Sequence, residues 1–259
     1  MSIKQIIPSY LLGHPVSHSK SAFIQNAAFK YCNINSVYLA IDINPLMFDI
    51  TLAGLKKTEI LGLNITLPYK KDIMKFVDEL KPEAKFIDAV NTIEVKDKKW
   101  IAHNTDWYGV YKTLEIHNIN KNQNLLIIGA GGATGAVIYG LKEYGINDIT
   151  ISNRTILKAE ILKDKFELNL LNFENLNKSI KDYSMIVNCT TLNFKDIIND
   201  FNDNTVYFDL KYYSKTDNIK KFIDGSLMLL YQGMKAFKIW TNIEPEVKIM
   251  KEALFEKKD

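Results

Sequence analysis

Residues 125–136 read Leu-Leu-Ile-Ile-Gly-Ala-Gly-Gly-Ala-Thr-Gly-Ala. Four apolar residues run straight into a cluster of glycines, and a helical pattern follows to about Tyr144. No other segment constrains the fold as much. Glycines at a strand–helix junction let the backbone turn tightly and approach a pyrophosphate, while the helix N-terminus offers amide donors and a positive dipole to it. The junction predicts a parallel α/β sheet with a dinucleotide cradled by Gly129, Ala130, Gly131, Gly132 and Ala133. The strict G-x-G-x-x-G form is incomplete, because Thr134 holds the third glycine position. The context of the turn carries the reading more than the motif does.

The next strand-like segment, 148–152, ends in Asn153-Arg154-Thr155. There a dinucleotide fold meets the adenosine ribose. An acid at that point suits the 2′-hydroxyl of NAD, and an arginine suits a 2′-phosphate. Arg154 is the one arginine among 33 basic residues. A planar guanidinium fork matches phosphate oxygens in a way that an ammonium does not. The pattern points to NADP, with Asn153, Arg154 and Thr155 as contacts; a surface cation is the plainer reading. Lys158, one helical turn further on, reads equally as a second phosphate contact and as a solvated helix lysine.

The chain has 259 residues, enough for one large domain or two smaller ones. Its formal net charge is +3, and its lysines are interleaved with acids along the chain, which describes a solvated surface and not a nucleic-acid footprint. Cys32 and Cys189 lie far apart with no metal-like spacing, so reduced thiols are expected. The start of the chain does not resemble a signal peptide, since Pro8 interrupts a short apolar stretch. No apolar run approaches the roughly 18 residues of a membrane span. A soluble, cytoplasmic protein is expected, with no nucleic-acid or membrane partner and no metal.

Apolar runs alternate with longer helical patterns. Strands are predicted at 10–13, 36–41 and 60–65, with helices at 21–31 and 45–56 between them, which implies βαβ units. A hairpin is predicted over 92–103 with Asp97 in its turn. After residue 125 a second alternating series brings strands at 148–152, 185–187, 206–210 and 227–230. The last part, 232–257, reads as two helices separated near Pro245. A boundary near residue 105 follows, with a nucleotide domain over about 106–225.

Four further segments carry polar residues at the ends of predicted elements. In Gly13-His14-Pro15-Val16-Ser17-His18-Ser19-Lys20-Ser21 the hydroxyls of Ser19 and Ser21 either cap the helix that follows or bind a carboxylate at its N-terminus. In Asn64-Ile65-Thr66-Leu67-Pro68-Tyr69-Lys70 a strand ends and a lysine stands at its mouth, as a candidate acid/base or a surface lysine beside Lys71. Ala89-Val90-Asn91-Thr92 and His103-Asn104-Thr105-Asp106 come next, the second reading by default as a helix start. Last is Leu229-Leu230-Tyr231-Gln232-Gly233, where Gln232 alone reads as an exposed polar residue.

Taken together with the glycine turn, these segments resemble the NADP-dependent shikimate dehydrogenases over nearly the whole chain, in order and in spacing. The resemblance implies a two-domain α/β fold: an N-terminal α/β domain with a mostly parallel sheet, over 1–105, that binds shikimate or 3-dehydroshikimate, and a Rossmann-like NADP domain over 106–230. A C-terminal helix would return to complete the first domain over about 231–259. It implies that Ser19 and Ser21 hold the substrate carboxylate, with Tyr212 near it. Thr66, Asn91, Asp106 and Gln232 would bond ring hydroxyls, Lys70 with Asp106 would be catalytic, and Leu210 and Leu227 would join the cofactor contacts. The chemistry suits these types: ketone reduction needs a hydride and a proton for the developing alkoxide, and an ammonium supplies the proton. A lysine's ordinary pKa is about 10.4, and burial lowers it while a carboxylate such as Asp106 opposes that.

Several positions depart from the family pattern. Ala22 stands for a proline, Asp88 for a glycine before Ala89, and Asp217 for a proline after Thr216. Thr190-Thr191-Leu192-Asn193 lacks the usual Thr-Ser-x-Gly ending, and Leu227 stands where a glycine normally approaches the nicotinamide. The alternatives are a quinate/shikimate dehydrogenase using NAD, and a non-catalytic NADP- or metabolite-binding paralogue. Either a monomer or a homodimer is compatible with the sequence.

Overall fold

The computed structural model describes residues 5–212 and 219–256. The chain divides into two compact units, Met1–Thr105 with Leu230–Asp259, and Asp106–Leu229. Each is an α/β unit with its own six-stranded sheet.

The first unit contains β1 (Ser9–Gly13), α1 (Ser21–Tyr31), β2 (Tyr38–Asp42), α2 (Phe48–Leu55), β3 (Gly62–Ile65), β4 (Glu79–Leu80), α3 (Pro82–Ile87), β5 (Thr92–Lys96) and β6 (Lys99–His103). The sheet order is β2-β1-β3-β5-β6-β4. Strands β2, β1 and β3 run parallel, and β5 pairs antiparallel with both β3 and β6. The β5–β6 hairpin turns on Asp97 and Lys98, both at positive φ, the two-residue turn that matches strand twist. Leu12, Leu63, Ile65, Val90 and Ile93 form its core with Phe48 and Leu52.

The second unit contains α4 (Asp106–Ile116), β7 (Leu125–Ile128), α5 (Thr134–Tyr144), β8 (Ile149–Ser152), α6 (Ile156–Phe166), β9 (Asn169–Leu170), α7 (Leu176–Ser179), β10 (Met185–Asn188), β11 (Val206–Asp209) and β12 (Phe222–Ile223). All its strands are parallel, in the order β12-β11-β10-β7-β8-β9. In chain order this is 3-2-1-4-5-6, with the reversal between β7 and β10, the doubly wound arrangement that binds dinucleotides at the switch point. Both faces are covered. Leu125 and Ile127 enter one core with Val137 and Leu141, and Leu126 and Ile128 enter another with Leu176 and Ile180. Alternate side chains of a strand point to opposite faces, so a strand buried on both reads as an unbroken apolar run.

The chain ends in α8 (Ser226–Thr241) and α9 (Val247–Phe255). The unit boundary falls inside α8, and from Leu230 onward the chain belongs to the first unit. There Phe29 and Phe237 pack ring to ring, and Trp240 Nε1 donates to Ile93 O at 2.9 Å. Residues 227–230, expected as a strand, are helical. Asp224 Oδ1 accepts from Ser226 N at 3.0 Å and starts the helix, and Leu and Met are good helix formers. The true last strand is the two-residue β12, too short for any periodicity to announce. Among the described residues no helix is long and apolar enough to cross a membrane.

Candidate active site

In the first unit the carboxyl ends of the parallel strands β1 and β3 lead into the two loops singled out in the sequence. The loops lie side by side: His14 N donates to Leu67 O at 2.9 Å, and Thr66 N to Leu12 O at 2.9 Å. Gly13 permits this, because a Cβ there would lie 2.3 Å from Thr66 Cγ2. The serine loop is braced at its start. His14 Nδ1 meets Asp42 Oδ1 at 2.5 Å, Val16 N donates to Asp42 Oδ2 at 3.2 Å, and the bond to His14 holds the Asp42 carboxyl below its ordinary range. Ser19 Oγ accepts from Ser21 N at 3.3 Å, a local turn bond; the N-cap of α1 is Lys20 and carries no side-chain cap.

Ser21 is buried at the start of α1. Tyr38 Oη donates to Asn64 Oδ1 at 2.8 Å, and burial pushes the phenol's pKa up, which keeps it a neutral donor. Asn64 Nδ2 donates to Asn91 O at 3.0 Å and to Thr92 Oγ1 at 3.0 Å. Asn91 Nδ2 in turn donates to Gln232 Oε1 at 3.4 Å. One hydrogen-bonded chain therefore joins Tyr38, Asn91 and Gln232 through Asn64. The orientation of the Asn91 amide is fixed from the other side: its Oδ1 accepts from Thr105 N at 2.7 Å, and its Nδ2 donates to Thr105 Oγ1 at 3.0 Å.

Thr66 and Lys70 are half-buried in the loop after β3, and Val90 N donates to Lys70 O at 2.8 Å. That bond sets the lysine's backbone beside the Asn91 segment. Gln232 lies on the part of α8 that belongs to the first unit, held against α1 where Gln25 Nε2 donates to Gly233 O at 2.9 Å. Asp106, buried, is the first residue of α4 and of the second unit, directly after Thr105. Tyr38 lies in none of the quoted segments, and Asn64 and Thr105, though inside them, are given no role by the sequence. The available signal for Asn64 is a polar residue inside an otherwise apolar strand, Gly-Leu-Asn-Ile.

In the second unit Gly129 adopts φ 108°, a conformation that favours glycine. Ala130 N donates to Asn153 Oδ1 at 3.1 Å, which ties the glycine turn to the end of β8. Thr134 justifies its place at the third glycine position: its buried Oγ1 accepts from Gly131 N at 2.9 Å and donates to Gly129 O at 3.3 Å. Gly131 and Gly132 are exposed, and Ala133, at the N-cap of α5, has no side chain with which to cap it. Thr134 N donates to Gly131 O at 3.1 Å, and with no capping side chain the next amides of the helix start can face an anion. Arg154, Thr155 and Lys158 are exposed just beyond β8, and no acidic residue stands in the first turn of α5 or α6. A phosphate-bearing dinucleotide fits this donor set: backbone amides for the pyrophosphate, and guanidinium and ammonium for a 2′-phosphate.

Leu210 and Leu227 are partly buried, flanking the turn at Gly225, where a Cβ would lie 2.0 Å from Leu210 O. Cys189, after β10, is partly buried, and desolvation pushes its thiol up to about 12. Tyr212 lies three residues past the end of β11; Thr216 and Asp217 are outside the described residues.

Three family models match in succession. They are the shikimate dehydrogenase substrate binding domain over residues 11–93, the shikimate/quinate 5-dehydrogenase over 113–204, and the shikimate 5′-dehydrogenase C-terminal domain over 225–255. A shikimate dehydrogenase (NADP⁺) of Methanococcus maripaludis is 38% identical over 266 residues, covering 94% of this chain and 95% of the relative. The chain belongs to the shikimate dehydrogenase family. The crystal structure of shikimate dehydrogenase from Aquifex aeolicus superimposes with a TM-score of 0.89 at 34% identity, over 99% of this chain and 100% of that one. The enzyme from Thermus thermophilus, in complex with NADP(H) and shikimate, gives a TM-score of 0.83 at 28% identity, over 96% and 98% of the two chains.

Proposed function

We propose that the protein is an NADP-dependent shikimate dehydrogenase, catalysing 3-dehydroshikimate + NADPH + H⁺ ⇌ shikimate + NADP⁺ in aromatic amino-acid biosynthesis. The observation that carries the reading is 38% identity to an NADP⁺ enzyme over 94% of the chain. The exposed Arg154 beside the glycine turn, and the retained Lys70 and Asp106, agree with it.

The first unit is the substrate domain of this proposal, with residues 230–259 completing it, and the second unit is the NADP domain. Ser19 and Ser21 take the substrate carboxylate with Tyr212 near it, and Thr66, Asn91, Asp106 and Gln232 take ring hydroxyls. A carboxylate accepts the serine hydroxyls' protons as hydrogen bonds, and a ring hydroxyl at Asn91 takes the place of the long 3.4 Å bond from its Nδ2 to Gln232 Oε1. Bound NADPH supplies the hydride. The ammonium of Lys70 stabilises the oxygen that becomes an alkoxide and gives it a proton, with Asp106 as the second catalytic group. Water exclusion falls to the buried residues around Asn91. The protein acts in the cytoplasm as a monomer or homodimer on a small molecule, with no nucleic-acid or membrane partner.

The NAD-linked quinate/shikimate alternative is disfavoured by the residues that follow β8, Asn153 and Arg154, where an acid would be expected for the free ribose hydroxyl. The test is cofactor reduction with shikimate or quinate, each with NADP⁺ or NAD⁺. Turnover with shikimate and NADP⁺ alone is expected. Comparable rates with quinate or NAD⁺ favour the broader enzyme, and NADPH binding without turnover favours the non-catalytic paralogue.

A further inference from the structure

Residues 189–193 form the loop that leaves β10 beside the glycine turn. Cys189 N donates to Ile128 O at 2.8 Å, and a Cβ on Gly129 would lie 2.8 Å from Thr190 Cγ2. At the switch point between β7 and β10 this loop is the wall facing the glycine turn, so its position sets the room available to a dinucleotide. Apolar packing does not hold it, since Leu192 is 50% exposed and residues 191–193 are exposed throughout.

Polar bonds hold it instead. Asn188 Oδ1 accepts from Thr190 N at 3.0 Å and from Thr190 Oγ1 at 2.7 Å, and Asn188 Nδ2 donates to Leu192 O at 2.8 Å. The outer end is held by Lys211, whose Nζ donates to Leu192 O at 2.8 Å and to Asn193 Oδ1 at 2.9 Å. The ammonium stands 3.6 Å from Asp209 Oδ2, whose side chain is 3% exposed. The backbone of Lys211 is itself anchored: its N–H donates to Asp209 Oδ1 at 3.0 Å, and its carbonyl accepts from Gly225 N at 3.0 Å. One lysine thus ties the end of β11, the loop after β10 and the turn into α8 that carries Leu227.

We propose that Lys211 is a positioning residue for the cofactor, an ammonium latch that holds residues 192–193 so that the crevice at the glycine turn keeps its width. The proposal rests on the dinucleotide reading of the second unit. The latch stands in at a loop whose last residue is Asn193, where the family pattern ends in glycine; Asn193 supplies the side-chain acceptor that glycine lacks.

The test is NADPH binding by fluorescence titration, Michaelis constants for NADP⁺ and shikimate, and amide hydrogen exchange of residues 190–193. Parent, Lys211→Met, Lys211→Arg and Asn193→Ala are compared. Lys211→Met is expected to weaken NADPH binding about tenfold, the equivalent of one hydrogen bond to a charged group, with the KM for shikimate unchanged. Exchange in 190–193 accelerates, Lys211→Arg recovers most of the affinity, and Asn193→Ala, which leaves the lysine in place, shows a smaller loss of the same kind. Parent-like NADPH affinity in Lys211→Met overturns the proposal, as does an equal loss for shikimate. A parent protein that binds no NADPH overturns the dinucleotide reading instead, and exchange in 190–193 then judges the latch alone: unchanged exchange in Lys211→Met refutes it.

Discussion

Asp88 shows how a departure from the family pattern is accommodated at a single residue. It ends α3 with φ 64° and ψ 39°, the left-handed conformation in which glycine is at ease and aspartate is among the better-tolerated substitutes. Lys71 Nζ donates to its Oδ2 at 2.6 Å, an exposed ion pair that contributes little. Ala89 and Val90 still follow with the backbone needed to place Asn91. At the functional residues the expectations are sharper. Lys70→Ala should lower kcat by about a hundredfold or more with only a modest change in KM, since a proton donor acts in the transition state; steady-state kinetics decide, and an unchanged kcat removes Lys70 from the mechanism. Arg154→Asp should weaken NADPH binding by at least about tenfold and NADH binding far less, because only the former carries the 2′-phosphate. Titration of both cofactors measures the difference, and equal losses contradict the phosphate role.

Elements are positioned here by close approach. Gly62 in β3 lies under Trp240 of α8: a Cβ would fall 2.3 Å from the indole Nε1. That nitrogen donates to Ile93 O, so one residue joins helix to sheet and fixes the segment that carries Gln232. Gly62→Ala should therefore destabilise the protein by about 2 kcal/mol through overpacking. A urea midpoint shift reports it, and a midpoint equal to that of the parent would show that α8 is not held there. The glycine turn works by the same logic with different chemistry. Gly129 has the positive φ, Thr134 closes the loop with its hydroxyl, and Asn153 carries the closure to β8. A threonine at the third glycine position thus keeps the turn tight by bonding where a glycine would do so by being small.

At the scale of the whole molecule, desolvated titratable groups link stability to pH. The Cys189 thiol is pushed up to about 12 from an ordinary 9.0, by desolvation. Because its folded pKa is raised, its contribution is complete below the unfolded pKa and is lost as pH rises through the window from 9.0 towards 12. Tyr38, raised in the same direction by burial, adds to the loss. Stability measured by urea denaturation should stay level from neutral pH to about 9 and then fall, with Cys189→Ala recovering about 1 kcal/mol of the decline at pH 10. A Cys189→Ala protein whose stability falls as steeply as the parent's would show that the thiol ionises freely in the native state.

The sequence by itself determined the α/β class, the strand–glycine–helix junction, the place of Arg154 just after a strand and the order of the polar motifs. All of these rest on neighbouring residues: apolar runs, glycine at a turn, a cation at a strand end. Local signals failed where they were short or ambiguous. β12 is two residues long, and the apolar run at 227–230 serves a helix as well as a strand; the Asp224–Ser226 start and the packing of α8 decide for the helix. Only the tertiary structure could decide that Tyr38, Asn91 and Gln232 share one hydrogen-bonded chain through Asn64. It alone shows that Lys211 reaches Asn193, 18 residues away. Asn91 and Gln232 are 141 residues apart. No periodicity spans that distance, and such a bond forms because packing of helix on sheet brings two buried amides together, where each must find a partner or bear the cost of desolvation.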